Sequence, residues 1–305
     1  MDKLKRPVLI FGAKGYLGGT LMRYLTHDGR IVHAIHWKEA SQWLSSISAD
    51  DILDRLASLS ENGLDILFAN GQTDPSLPLP ILIESNVLFP QRVINVSRRL
   101  PNLRFITFGT AMECFNSMTV ENNYVASKRQ LCEWMKSLMH TELAGRILHI
   151  QLHTLYGGTE PKHYMFLGQL VTALRTKGTF AMSLGHQLRE YHHVDDIACS
   201  ISRLLEHPWP EDPILTISSG YPVRLADLAK AIFSSLGRKA DLRIGVLPMA
   251  ESENTGHYFK PSPKWLLQVS RPSIEGVCEW ISELLKQSET APRRSGGIRR
   301  GIQNP

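Results

Sequence analysis

No apolar run in the 305-residue chain approaches the roughly 18–20 residues that span a bilayer. A transmembrane helix is therefore excluded by the sequence. The basic opening MDKLKRPVLIFGAKG contains only the run VLIF, far shorter than the apolar core of a signal peptide, and the expected location is cytoplasmic. Cysteine is scarce: Cys114, Cys132, Cys199 and Cys278 stand apart with no CxxC spacing, which argues against a disulfide framework or a zinc motif. His186, His192 and His193 lack the spacing and acidic partners of a metal centre, and no metal is expected. No long repeat is present. A general excess of positive charge is also missing. The net charge of +5 owes much to Arg293, Arg294, Arg299 and Arg300 in the tail QSETAPRRSGGIRRGIQNP. That tail is rich in Gly, Pro and Ser and has no apolar period, so residues 288–305 are expected to be disordered. Nucleic-acid and membrane partners are not expected.

What remains is an ordinary globular composition, 43% apolar and 21% charged. PVLIFGAKGYLGGTLMRYLTHDG, 7–29, reads as a buried strand, a glycine turn and a helix with Leu17, Leu21 and Leu25 on one face. Strands follow at 30–37, 64–71, 103–109 and 146–157, and helices lie between them. One of these, ADDILDRLASLSENG, has Asp50 or Asp51 as its candidate cap. Another covers about 80–99, and a third carries Tyr124. Close alternation of strands and helices predicts an α/β fold with a Rossmann-type doubly wound parallel sheet. Beyond residue 158 the order loosens, with helices expected at about 164–177, 195–206, 224–237 and 273–287 and Asp195 and Asp196 as caps of the second. The division is a nucleotide-binding domain over 1–158 and a smaller, discontinuous substrate-binding region over 159–287, some of whose segments return to the first domain.

Gly12, Gly15 and Gly18 form a GxxGxxG turn directly after the first strand. Glycine permits the tight turn and lets a pyrophosphate approach the backbone. The following helix N-terminus then offers free N–H groups and partial positive charge. NAD preference usually comes with an acid at the end of the second strand. Here that end reads His36, Trp37, Lys38, with no acid until Glu39, and Lys14 precedes the second glycine of the turn. Two cations near the adenosine ribose suit the extra phosphate of NADP(H), with NAD(H) as the alternative.

ENNYVASKRQ, 121–130, places Tyr124 and Lys128 at i and i+4, on one helix face. A phenol titrates near pH 10, and bringing it toward neutrality requires roughly 4 kcal/mol. A nearby ammonium acts in that direction, and such a tyrosine can exchange a proton with a carbonyl oxygen as hydride moves. The strand LRFITFGT ends in Thr110, whose hydroxyl could bond the same carbonyl.

In this order of motifs the sequence resembles the extended short-chain dehydrogenase/reductases, the nucleotide-sugar epimerase, dehydratase and ketoreductase group, over about residues 7–287. GAKGYLG matches the glycine motif, RFITFGTAMECF the strand ending in the catalytic Ser or Thr, and YVASK the catalytic Tyr and Lys. SNVLFPQRVIN resembles the family's Asn-Val helix, with Asn86 in the matching place. LREYHHVDDIA resembles the block whose arginine, here Arg189, grips the nucleotide diphosphate. ILTISSGYPVRLADLAKAI resembles the segment that follows it. Where family dehydratases carry Asp-Glu after the catalytic threonine, this chain has Ala111 and Met112. Thr154 replaces a frequent substrate-binding Asn, and Gln151 a frequent Arg.

The resemblance implies a catalytic set of Thr110, Tyr124 and Lys128. It implies a cofactor site formed by Gly12, Lys14, Gly15, Tyr16, Leu17, Gly18, His36, Lys38, Ala69, Asn70, Gly71, Asn86, Tyr124 and Lys128. Thr154 and Arg189 are the candidate substrate contacts. The implied activity is NADP(H)-dependent reduction of a nucleotide-linked keto sugar, a 4-keto-6-deoxyhexose. The alternatives are an NAD-dependent nucleotide-sugar epimerase using the same three residues and a non-catalytic NADP-binding regulator, which typically lacks the Tyr-Lys pair. Leu131, Trp134, Met135 and Leu138 form an apolar stripe on the Tyr124 helix. It reads as core, while the resemblance implies a homodimer through that helix and the one at 80–99.

Overall fold

The computed structural model describes residues 5–114, 122–236, 240–248 and 260–290. The tail beyond residue 290 and most of the segment between Thr110 and Tyr124 lie outside the described residues.

The described residues form twelve strands: β1 (Val8–Phe11), β2 (Val32–Ile35), β3 (Leu64–Phe68), β4 (Leu103–Thr110), β5 (Ile147–Leu152), β6 (Thr154–Tyr156), β7 (Thr179–Met182), β8 (Leu188–Arg189), β9 (Tyr191–His193), β10 (Ile214–Ile217), β11 (Val223–Arg224) and β12 (Asp241–Ile244). The helices are α1 (Tyr16–His27), α2 (Trp37–Ala40), α3 (Gln42–Ser45), α4 (Ala49–Leu59), α5 (Leu79–Ile83), α6 (Phe89–Ser97), α7 (Asn123–Ser137), α8 (Phe166–Thr176), α9 (Val194–Glu206), α10 (Leu225–Ser235) and α11 (Ser273–Thr290). A π-helical turn, Glu84–Leu88, joins α5 to α6.

Six strands form one parallel sheet in the order β10-β5-β4-β3-β1-β2. From β1 the chain goes outward to β2, then returns to β3 on the opposite side. That reversal opens a crevice at the carboxyl ends of β1 and β3. The short apolar runs are buried on both faces because a parallel sheet is covered on both. Leu9, Phe11, Ile66, Phe68, Leu103 and Phe105 pack into one core. Val8, Ile10, Leu67, Ile106 and Phe108 pack into the other. The alternation is the period-2 geometry of the strand read across two cores. A third core lies among α8, α10 and α11.

Four local expectations are corrected. The expected strand over 146–157 divides at His153. Residues 147–152 stay in the main sheet, while β6 leaves it to pair with β9. The strand at 30–37 ends at Ile35, and Trp37 begins α2. The cap of α4 is Ser48, whose hydroxyl accepts from the Asp51 N–H at 3.1 Å, so Asp50 and Asp51 occupy the first turn, where acids favour the helix dipole. The cap of α9 is His193, whose Nδ1 accepts from the Asp195 N–H at 3.2 Å. Asp196 is buried and accepts instead from the Arg271 guanidinium at 2.7 Å and the Arg271 N–H at 3.0 Å. The Leu131–Leu138 stripe is core: Leu131, Met135 and Leu138 are buried and Trp134 packs against them.

Glu190, between β8 and β9, is tied to the turn after β10. Its carboxylate is fully buried. It accepts from His192 Nε2 at 2.8 Å, Ser218 Oγ at 2.8 Å, Ser219 N–H at 2.7 Å and Gly220 N–H at 3.0 Å. Burial pushes this carboxyl up, but the bonds from His192, Ser219 and Ser218 and the nearby His153 outweigh it and bring it to about 2 from 4.5. A depressed carboxyl stabilises the fold above its unfolded value, and that contribution is lost as pH falls from 4.5 toward about 2. Glu190→Gln is therefore expected to cost about 2–3 kcal/mol at pH 7. In urea titrations the gap to wild type should shrink to roughly half at pH 3. A gap independent of pH would remove the charge from this account.

Candidate active site

The glycine turn joins β1 to α1 at the crevice. Gly12 has φ +86°, and a Cβ there would lie 2.6 Å from the backbone of Ala69 and Asn70 at the end of β3. A Cβ on Gly18 would lie 2.3 Å from the Gly12 carbonyl oxygen. Two of the three glycines are thus fixed by the close approach of turn, helix and β3. Gly15 caps α1 without any side-chain bond, and the first turn of α1 carries no acid. The first bond into the helix is Gly19 N–H to the Gly15 carbonyl at 2.8 Å. The amides of Tyr16, Leu17 and Gly18 precede it, and a helix start of this kind accommodates a phosphate. These features fit a dinucleotide. Tyr16 also donates its hydroxyl to the Gly157 carbonyl at 2.8 Å, and Leu17 packs into the core beneath.

At the end of β2, His36 caps α2. Glu39, the nearest acid in sequence, is drawn to Arg55 at 2.6 Å. Lys14 and Lys38 are exposed and form no ion pair among the described residues.

Beyond β3, Asn70 donates to the Ser85 carbonyl at 3.2 Å. Asn86, buried on the π turn, accepts from Gln72 N–H at 2.8 Å and donates to the Gln72 carbonyl at 3.0 Å and to Ser127 Oγ at 2.9 Å. It fastens the loop after β3 to α7. Gly71 lies against Lys128: a Cβ there would be 2.8 Å from Nζ and 2.9 Å from Asn86 Oδ1.

Thr110 ends β4, and its hydroxyl faces the Tyr124 phenol closely enough to ease its ionisation. Asn122 caps α7, its Oδ1 accepting from Val125 N–H at 2.9 Å, which sets the helix phase that presents Tyr124 and Lys128 together. Lys128 is buried and donates to the Phe108 carbonyl at 2.8 Å. The three expected catalytic residues therefore meet at the carboxyl end of β4.

Their electrostatics differ from the expectation that the ammonium would lower the phenol. Burial pushes the Tyr124 phenol above its usual range, the Glu113 carboxylate adds to this, and the Thr110 hydroxyl acts in the opposite sense. Burial pulls Lys128 down to about 8, and Glu113 opposes that. In this state Tyr124 is a proton donor. Lys128 points to a carbonyl and to Gly71 instead of neutralising the phenol.

Arg189 lies on β8, partly buried, donating to its neighbour's carbonyl at 2.8 Å. It pairs with no carboxylate among the described residues. Thr154 opens β6, its N–H donating to the Glu190 carbonyl at 3.2 Å.

The sequence reading missed a polar cluster under this site. Glu113 and His149 are buried and bonded at 2.9 Å. With Cys132 they are the one His/Cys/Asp/Glu group among the described residues whose ligand-type atoms lie within 4.8 Å of one another. Gln151 joins them, donating to Glu113 at 3.2 Å. Their positions, 113, 132, 149 and 151, form no spacing motif. The available signal was a histidine and a glutamine inside the buried run ILHIQL.

The profile of the NAD dependent epimerase/dehydratase family matches residues 8–216. Among solved structures, MoeE5 in complex with UDP-glucose and NAD shares 18% identity at TM-score 0.72, over 93% of this chain and 100% of that one. TunA, an NAD-dependent NDP-hexosamine 5,6-dehydratase of tunicamycin biosynthesis, shares 17% at TM-score 0.70, over 94% and 99%. A UDP-N-acetylglucosamine 4-epimerase from Methanobrevibacter ruminantium, in complex with UDP-N-acetylmuramic acid, shares 13% at TM-score 0.70, over 94% and 99%. At these identities the likeness shows the fold. Comparison with curated protein sequences gave no match.

Proposed function

The chain belongs to the NAD dependent epimerase/dehydratase family, and from that premise we propose that it is an NADP(H)-dependent reductase of a nucleotide-linked keto sugar, a 4-keto-6-deoxyhexose. The observation that carries the reading is the Tyr124 phenol facing the Thr110 hydroxyl beside buried Lys128 at the carboxyl end of β4. The bound nicotinamide supplies hydride. Tyr124, protonated at rest, donates its proton to the sugar oxygen as negative charge develops there. Thr110 holds that oxygen. Lys128, Gly71 and Asn86 form the floor on which the nicotinamide ribose would rest. Arg189, with no carboxylate partner among the described residues, serves the diphosphate, and Thr154 contributes to the sugar side. Ala111 and Met112 leave the dehydratase positions without an acid–base pair. A non-catalytic regulator would not need the Tyr124–Thr110 pair.

Two exposed lysines and an acid already taken by Arg55 favour NADP(H) at the adenosine ribose. The second reading, an NAD-dependent nucleotide-sugar epimerase, is favoured by the NAD described for MoeE5. A homodimer is part of the proposal. Leu79, Ile81 and Leu88 are exposed by 38%, 47% and 46% along α5 and the π turn, an apolar stripe suited to a second copy.

Purified protein is expected to release no stoichiometric NAD on denaturation and to bind NADPH at least about tenfold tighter than NADH, roughly 1.4 kcal/mol. The double variant Lys14→Ala, Lys38→Ala should reduce that preference to within about threefold. Stoichiometric bound NAD would overturn the assignment to these lysines and select the epimerase.

A further inference from the structure

Along β4 and β5 one face changes character toward the carboxyl end. Phe105 and Ile147 point into the core under α7, but the next positions on that face are Thr107, Gly109, His149 and Gln151. Polar groups at such depth are costly unless bonded, and here they bond in a chain. Thr107 Oγ1 meets His149 Nδ1 at 2.8 Å. His149 Nε2 meets Glu113 Oε2 at 2.9 Å, and Gln151 Nε2 donates to the same oxygen at 3.2 Å. Gln151 Oε1 accepts from Thr216 at 2.8 Å. Glu113 Oε1 accepts the backbone N–H of Thr110 at 2.6 Å. Gly109 makes room, since a Cβ there would lie 2.2 Å from His149 Nε2 and 2.4 Å from Glu113 Oε1. The chain ends on Thr110, whose hydroxyl faces the Tyr124 phenol.

We propose that Glu113, held by His149, is a positioning residue for the Thr110–Tyr124–Lys128 site: it fixes the strand end that carries Thr110 and sets a buried negative charge beneath the site. Its role in turnover rests on the reductase reading; its effect on Lys128 does not. Burial raises the Glu113 carboxyl, but the bonds from His149, Thr110 and Gln151 outweigh this and hold it ionised. The other ionisable groups around it are Tyr124, Lys128 and Cys132 on α7. Arg129, Glu133 and Lys136 of α7, with Asp212 before β10, share with Glu113 the wall of a cavity of about 310 Å³. Among the described residues, Glu113 is the carboxylate that acts on both Tyr124 and Lys128.

The direct test is an NMR titration of ¹³Cε-labelled lysine, with the Lys128 signal assigned by its loss in Lys128→Met. Wild-type Lys128 is expected to titrate near pH 8. In Glu113→Gln the midpoint should fall by at least about half a pH unit, and Glu113→Asp, which keeps the charge, should restore it. If Glu113→Gln does not fold, the double variant Glu113→Gln, His149→Leu removes both ends of the pair and carries the same readout, since replacing both partners is milder than orphaning one. A folded, charge-free variant with an unmoved Lys128 midpoint overturns the proposal. In turnover assays the alkaline limb of kcat should move with the midpoint, whereas a purely structural role would lower kcat without moving it. Absence of turnover with any keto sugar would count against the reductase, while the lysine titration would still decide the role of Glu113.

Discussion

Tyr124→Phe is expected to lower kcat by about 10²–10⁴-fold, the range for losing a positioned general acid. Dinucleotide affinity should stay within about threefold of wild type, because the substitution removes one hydroxyl and leaves the glycine turn, Lys128 and Asn86 in place. The phenol faces the Thr110 hydroxyl at the carboxyl end of β4. Burial and Glu113 hold it protonated, and Lys128 bonds the Phe108 carbonyl. On the proposed reductase reading, the phenol would begin each reduction with its proton and give it up only when the sugar oxygen becomes a stronger base. The measurement is steady-state reduction of nucleotide-linked keto sugars by both proteins, with NADPH binding followed by fluorescence. A variant retaining more than about a tenth of wild-type kcat would mean that another group supplies the proton.

Gly12→Ala is expected to be the most damaging single methyl in the cofactor site. Two costs combine. The residue has φ +86°, a conformation L side chains rarely adopt, and its Cβ would fall 2.6 Å from the carbonyl carbon and oxygen of Ala69 and from Asn70 Cα. Those neighbours are backbone at the end of a fully buried strand and cannot rotate away. The turn must lift from β3, at about 3 kcal/mol or more in stability and at least about a hundredfold in dinucleotide affinity. Gly29→Ala is the control. Gly29 has a similar φ of +78°, but nothing lies within 4 Å of its would-be Cβ. It should cost only the backbone term of about 1 kcal/mol and leave dinucleotide binding unchanged. Thermal unfolding and NADPH titration of both variants separate strain from collision. Equal losses at the two glycines would remove the packing argument.

The sheet class was legible along the chain, because short runs such as VLIF and LDILF alternate with amphipathic helices, and both periodicities are local properties of the chain. So were the glycine turn and the Tyr124–Lys128 spacing, since each lies within one strand–helix junction or one helix. The sequence also placed Thr110 at a strand end. Local competition defeated it at boundaries. Ser48 and His193 took the caps assigned to aspartates, because a cap is chosen by which side chain reaches the free N–H. The strand at 147–156 broke where its far end found β9 instead of β10. Folding brought Glu113, Cys132, His149 and Gln151 together from distant segments beneath Thr110, and burial reversed the expected direction for the Tyr124 phenol. The physical reason is common to both. Spacing along the chain reports which groups share a face, whereas the free energy of a charge depends on how much water has been excluded around it and which groups from distant segments have replaced that water.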